Sequence, residues 1–134
     1  MRPRILLVGP EIINDTSLID LLRKIGDISL LTNKDQLETV VQRLNINLVV
    51  MELSSCWRVD LHAAYCLNAD YPLVPIVVIN DGESVDIVIQ SFHSGARDFF
   101  KKPYDPALLA ERIEALTRDT SDFQDGMVYT SERL

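Results

Sequence analysis

The chain has 134 residues, 47% hydrophobic and 25% charged, with 20 acidic side chains against 13 basic ones for a net charge of −7. That length fits one domain with a core of its own, and scattered Lys and Arg argue against direct nucleic-acid binding by this segment. No apolar run approaches the roughly 20 residues that span a bilayer, and Ile5-Leu6-Leu7-Val8 is too short for a secretory signal core. A cytoplasmic domain without membrane contact is therefore expected. Cys56 and Cys66 make neither a disulfide framework nor a zinc spacing and read as free thiols.

Arg4-Ile5-Leu6-Leu7-Val8 is an apolar run stopped by Gly9-Pro10, and reads as a buried first strand. Asn14, Asp15 or Thr16 can cap the helix that follows, in which Leu18, Ile19, Leu21, Leu22 and Ile25 recur at helical spacing before Gly26. Asp27 to Thr32 is a second strand, alternating at first and so nearer an edge. Asn33 can cap a second helix. Its inner stripe is Leu37, Val40, Val41 and Leu44, with Lys34, Asp35, Glu38, Gln42 and Arg43 on the wet side.

Ile46-Asn47-Leu48-Val49-Val50-Met51-Glu52-Leu53 has the non-alternating pattern of a strand buried on both faces. Glu52 ends it. Ser54 to Arg58 form a loop, in which Trp57 reads as a packed anchor. Leu61, Ala64, Tyr65 and Leu67 mark a third helix that closes near Asp70-Tyr71-Pro72. Pro75 to Ile79 is a fourth strand, ended by the turn signature Asn80-Asp81-Gly82. Val85, Val88, Ile89 and Phe92 mark a fourth helix and read as its core stripe. Arg97 to Phe100 is a short fifth strand, closed by Lys101-Lys102-Pro103. Asp105-Pro106 opens a last helix, with Asp at the cap and Pro in the first turn; Leu108, Leu109, Ile113 and Leu116 form its inner stripe. His62 and His93 read as surface residues on helices. From Thr120 onward the sequence turns polar and aperiodic.

Five strands alternating with five helices imply an α/β fold, a parallel sheet with helices on both faces. In such sheets, ligands and chemistry gather at the C-terminal ends of the strands. That edge brings together Gly9, Pro10 and Glu11 after the first strand, Glu52 after the third, Asn80 after the fourth and Lys102 after the fifth. Lys102-Pro103 is also a candidate cis bond, a form found in about 5% of X-Pro bonds.

The segment Gly95-Ala96-Arg97-Asp98-Phe99-Phe100-Lys101-Lys102-Pro103-Tyr104 resembles the Gly-Ala-x-Asp-Tyr/Phe-Leu-x-Lys-Pro-Phe segment of receiver domains of bacterial two-component response regulators. Ile5 to Val8 and Pro75 to Ile79 match that family's first and fourth strands. The resemblance runs from Arg4 to about Arg118. It implies a flavodoxin-like (CheY-like) three-layer sandwich, a five-stranded parallel sheet in the order 2-1-3-4-5 with five helices. It also implies a receiver-like domain over 1–119 and a linker or tail over 120–134 leading toward an output domain.

The departures from the family fall on its chemistry. Receivers accept a phosphoryl group from a histidine kinase on an aspartate that ends the third strand; that position is Glu52. The two acidic residues that help hold Mg²⁺ align with Gly9 and Pro10, leaving Glu11. The Ser/Thr that contacts the phosphoryl group is Asn80, and the switch aromatic is Phe99. Of the catalytic set only Lys102 is unchanged. A hard cation wants several oxygen ligands, and in-line phosphoryl transfer rests on positioning and charge neutralisation. The expectation is a signalling domain of a response regulator that is not an enzyme, works without phosphorylation and binds Mg²⁺ weakly or not at all. Glu52 is expected to face Lys102 as a charge-assisted pair, and the Asn80 amide can donate a hydrogen bond where a hydroxyl normally would.

Expected partners are proteins: a histidine kinase, an attached output domain in transcription regulation, or a second copy through the fourth helix, fifth strand and fifth helix, where Asp98 and Arg112 match charged positions of the family's contact. The alternatives are a phosphoacceptor that uses Glu52 with a divalent metal, and a small-ligand sensor in the emptied acidic pocket. A flavodoxin-like cofactor enzyme ranks last, because no Gly-rich phosphate loop follows the first strand.

Overall fold

A computed structural model describes residues 2–125, with side chains over 2–118. Strands β1 (Arg4–Val8), β2 (Asp27–Leu31), β3 (Leu48–Glu52), β4 (Ile76–Asn80) and β5 (Asp98–Lys101) form one parallel sheet in the order β2-β1-β3-β4-β5. Between and after them run α1 (Thr16–Arg23), α2 (Leu37–Leu44), α3 (Trp57–Asp70), α4 (Val85–His93) and α5 (Pro106–Asp125). One-turn 3₁₀ helices at Ile12–Asn14 and Lys34–Gln36 lead into α1 and α2. This is the doubly wound, flavodoxin-like arrangement expected from the sequence. Of the tail expected over 120–134, residues up to Asp125 continue α5 and 126–134 lie outside the described residues.

The apolar runs explain the layers. Successive strand side chains point to opposite faces. Leu6, Val8, Val49, Met51, Ile76 and Val78 therefore pack on one side with Leu37, Val41, Leu61, Ala64, Leu67 and Ile87 from α2, α3 and α4. Ile5, Leu7, Leu48, Val50, Val77 and Ile79 pack on the other with Leu18, Ile19, Leu22, Leu109, Ile113 and Leu116 from α1 and α5. Every residue of β3 is buried, while β2 is a partly exposed edge. Full burial of one such aliphatic side chain stabilises by about 1.5–3 kcal/mol, so the two layers hold the strand ends firmly.

The caps fall at the expected residues. Asp15 accepts from the Leu18 N–H at 3.1 Å and starts α1. Asn33 accepts from the Asp35 N–H at 2.9 Å, and Asp105 from the Ala107 N–H at 2.9 Å. Asn45 ends α2 in the left-handed region at φ 51°, where asparagine is among the better tolerated side chains.

The fourth helix differs from its expected stripe. Val85, Ile89 and Phe92 are exposed, and Ile87 and Ser91 are the buried residues. Helical residues advance by about 100° each, so Val85, Ile89 and Phe92 share one side, nearly opposite Ile87 and Ser91. A serine on the inward side is tolerated because its hydroxyl donates to the Ile87 carbonyl at 2.7 Å. Tyr65 and Leu108, also expected inside, are exposed. Lys34 leaves the wet side of α2 and pairs with buried Asp60 at 3.3 Å. Among the described residues no helix is long and apolar enough to cross a membrane.

Candidate functional site

Strand register builds the site. Val8 pairs with Met51, and Glu52 with Ile79, so the residues after β1 meet the last side chain of β3. Asn80 pairs with Lys101, and the Lys102 N–H donates to the Asn80 carbonyl at 2.8 Å. Pro10, Glu11, Glu52, Asn80 and Lys102, with Trp57 beside them, line one cavity of about 520 Å³. The convergence expected at the sheet edge is therefore present.

At its centre, Glu52 is only 2% exposed. Its Oε1 accepts from the backbone N–H groups of Glu11, at 2.9 Å, and Ile12, at 3.2 Å. Its Oε2 accepts from the ammonium of Lys102, which also reaches Glu11 Oε2 at 3.3 Å. A carboxylate out of water is tolerated only when paired and hydrogen-bonded, and both oxygens of Glu52 meet that condition. Among the described residues, no buried side-chain polar atom lacks a hydrogen-bond partner. Burial pulls the Lys102 ammonium toward a lower pKa, but the hydrogen bond and charge of Glu52, then those of Glu11, outweigh it and hold the group above its ordinary value. Lys102 is thus a cation locked between two carboxylates. Its bond to Pro103 is cis.

Gly9 gives this arrangement its room. It is buried, with φ at +140°. A Cβ there would lie 2.4 Å from Glu52 Oε1 and 2.5 Å from Glu52 Cβ. Asn80 is on the rim, but its Oδ1 accepts from the Gly82 N–H at 3.0 Å, and among the described residues it makes no hydrogen bond to Glu52. The expected donor role of its amide is absent, because the tight turn that follows β4 engages this side chain locally. Phe99 is half-buried and packs with the core on the α2-α3-α4 side. Trp57 opens α3, leans on the same core and carries the Arg58 guanidinium over its ring at 4.2 Å.

Three contributors were not singled out for the site from sequence. Tyr104 donates to Asp15 Oδ2 at 2.5 Å; the two residues line, with Glu11, Glu52 and Lys102, an adjoining cavity of about 520 Å³. Asp60 accepts from the Ser54 N–H at 2.7 Å and the Ser54 hydroxyl at 2.8 Å, and so fixes the loop directly after Glu52. A carboxylate in the first turn of a helix, a few residues after a serine loop, is the only local signal for Asp60. Nothing in the sequence joins Tyr104 to Asp15.

The family resemblance implies a divalent cation, and the side chains do not fit one. Gly9 and Pro10 offer no carboxylate, and both oxygens of Glu52 already have donors. Among the described residues, no group of three or more His, Cys, Asp or Glu could hold a metal ion. A larger cavity of about 660 Å³ lies at the other end of the sheet, beside Arg2 and Arg4. Those arginines serve helix ends: Arg2 donates to the carbonyls of Arg23 and Gly26, and Arg4 to that of Leu44.

No family model matches the chain. The DNA-binding response regulator MtrA of Mycobacterium tuberculosis (strain ATCC 25618 / H37Rv) is 32% identical over 124 residues, covering 91% of this chain and 54% of that protein. Its counterpart from Mycobacterium leprae (strain TN) matches to the same extent. The chain thus spans about half the length of the curated relatives it matches. Among solved structures, a CheY-like response regulator receiver domain protein from Methanospirillum hungatei JF-1 superposes with a TM-score of 0.79 at 15% identity, over 91% of this chain and 98% of that one. A response regulator from Thermotoga maritima gives 0.78 at 21% identity, over 88% and 99%.

Proposed function

We propose that this chain, a CheY-like receiver domain, serves in signal transduction without accepting a phosphoryl group, and acts through contacts with other proteins. The carrying observation is the state of Glu52, the acidic side chain at the end of β3. Its carboxylate is buried, its Oε1 is held by two backbone N–H groups and its Oε2 by Lys102. A nucleophile must present a free oxygen in line with the incoming phosphorus, beside a cation that neutralises the growing charge. Here Lys102 occupies one oxygen, and the residues after β1 supply donors in place of metal ligands. Mg²⁺ binding is correspondingly weak or absent.

The pair holds the rim in one charge state. Glu52 contributes a single negative charge, against about two for a phosphorylated side chain, so the site is read as fixed rather than switched. Transcription regulation is proposed on the ground that the matched relatives are named DNA-binding response regulators. A second copy is the proposed partner for α4, β5 and α5, with Val85, Ile89 and Phe92 as the apolar contribution. Arg112 donates to Asp98 within the chain at 2.8 Å, so these two charges stabilise the monomer face itself.

The test is a titration with Mg²⁺ and beryllofluoride, followed through the amide resonances of Glu11, Ile12 and Lys102. The proposal predicts no saturable change. A saturable shift at all three amides contradicts it.

A further inference from the structure

We infer that Gly9 is the positioning residue of this site: its backbone conformation and missing side chain let Glu52 be anchored, and thereby keep the pocket shut to a divalent cation. The inference rests on the reading that the site takes no phosphoryl group, and assigns that closure to one residue.

The Gly9 N–H donates to the Leu31 carbonyl at 3.0 Å, which pins the residue to the end of β2. From that fixed point its φ of +140° turns the chain out of β1. Side-chain-bearing residues rarely adopt such a conformation. Pro10 has no N–H to give, and the next two N–H groups, of Glu11 and Ile12, converge on Glu52 Oε1. The turn at Gly9 therefore aims both donors.

Space gives the same answer. The Cβ that another residue would carry meets the carboxylate and the Cβ of Glu52, at 2.4 and 2.5 Å. The carboxylate can swing away, but the Glu52 Cβ is fixed by a strand buried along its whole length. A side chain at position 9 must then either rotate the backbone, which redirects the N–H groups of Glu11 and Ile12, or push the Glu52 carboxylate out. The first route strips Glu52 Oε1 of its two N–H donors, and the second leaves Lys102 with the exposed Glu11 as its main partner. A carboxylate placed at position 9 would join Glu11 and the displaced Glu52 as oxygen donors of the kind a hard cation takes.

The experiment compares the wild type with Gly9→Ala, Gly9→Asp and the control Gly82→Ala. Gly82 has φ +68° on the same rim, and a Cβ there would meet only the flexible Lys101 side chain, at 3.1 Å. One readout is hydrogen exchange at the Glu11 and Ile12 amides. The other is the fluorescence of Trp57, the single tryptophan, which lines the Glu52 cavity, during titration with MgCl₂. Gly9→Ala should speed exchange at both amides by about tenfold or more, with no comparable change in Gly82→Ala. Gly9→Asp should show a saturable Mg²⁺ response that the wild type lacks. Unchanged exchange in Gly9→Ala, or a folded Gly9→Asp as silent to Mg²⁺ as the wild type, overturns the inference.

If the single variants do not fold, exchange at the Glu11 and Ile12 amides is compared between the wild type and Glu52→Gly, in which Gly9 is kept and the carboxylate that it anchors is gone. Faster exchange at both amides in Glu52→Gly supports the inference, and equal protection overturns it. A wild type that gains a phosphoryl group overturns the proposed function instead, and is read in a separate measurement from the amide exchange that tests Gly9.

Discussion

Lys34 and Asp60 form an ion pair at 3.3 Å with side chains only 15% and 6% exposed, joining the turn before α2 to the first turn of α3. The other oxygen of Asp60 holds both the N–H and the hydroxyl of Ser54. Removing one partner of a buried pair leaves an uncompensated charge, at a cost of about 3–5 kcal/mol. Asp60→Ala should therefore destabilise by roughly 3 kcal/mol or more, the lost Ser54 bonds included, measured by urea denaturation. A change under about 1 kcal/mol would place the pair with ordinary surface ion pairs.

Lys102→Ala and Glu52→Gln should differ in size. The first strands a charged Glu52, 3% exposed, with only two N–H donors, and should lose about 3 kcal/mol. The second keeps an acceptor for those N–H groups and leaves Lys102, 27% exposed, paired with Glu11. Its loss should be about 1 kcal/mol, in line with a solvent-screened cation. Denaturation curves for both variants in one buffer decide the order, and the reverse order contradicts the account of Glu52 as the buried member.

Alkaline pH should destabilise the fold through Tyr104 and Lys102. Burial raises the Tyr104 hydroxyl above its ordinary value of 10.0, and the hydrogen bond and charge of Asp15, with Glu52 and Glu11 behind, raise it further. Lys102 is also held above its ordinary 10.5. The folded chain binds both protons more tightly than the unfolded one. The stabilisation is thus complete below about pH 10 and is lost as pH rises through the folded values. Denaturation midpoints should hold up to about pH 10 and fall as pH rises beyond it, and Tyr104→Phe should reduce that fall. An equal fall in the variant contradicts the role given to this hydroxyl.

The side of α4 that carries Val85, Ile89 and Phe92 is exposed by 73%, 45% and 46%. Ile89→Glu and Phe92→Glu should change monomer stability by only about 0.5 kcal/mol. If this side joins two copies, the same changes weaken the dimer, measured by sedimentation equilibrium. Variants that self-associate as strongly as the wild type remove α4 from the proposed contact.

Sheet and layers were legible because they follow from apolar periodicity. The unbroken run into Glu52 has the pattern of an inner strand, and the alternation around Ile28 and Leu30 that of an edge. The meeting of Glu52 with Lys102 was legible from the strand-end rule together with the Lys102-Pro103 segment. Side-chain orientation at the rim was not. Asn80 was expected to donate into the site, but its oxygen is held by a turn N–H two residues on, a competition that composition does not resolve. The α4 stripe was misjudged because apolar content sets a stripe's width, and the helix's phase against the sheet decides which edge is buried. Helical spacing puts Lys34 on the wet side of α2 and gives Asp60 no partner, because only the third dimension brings the two together.

The proposed closure of Glu52 to phosphoryl transfer is tested most directly by intact-mass measurement of the wild-type chain after incubation with acetyl phosphate and Mg²⁺. The mass should not change. A gain of one phosphoryl group, lost in Glu52→Gln, would contradict it.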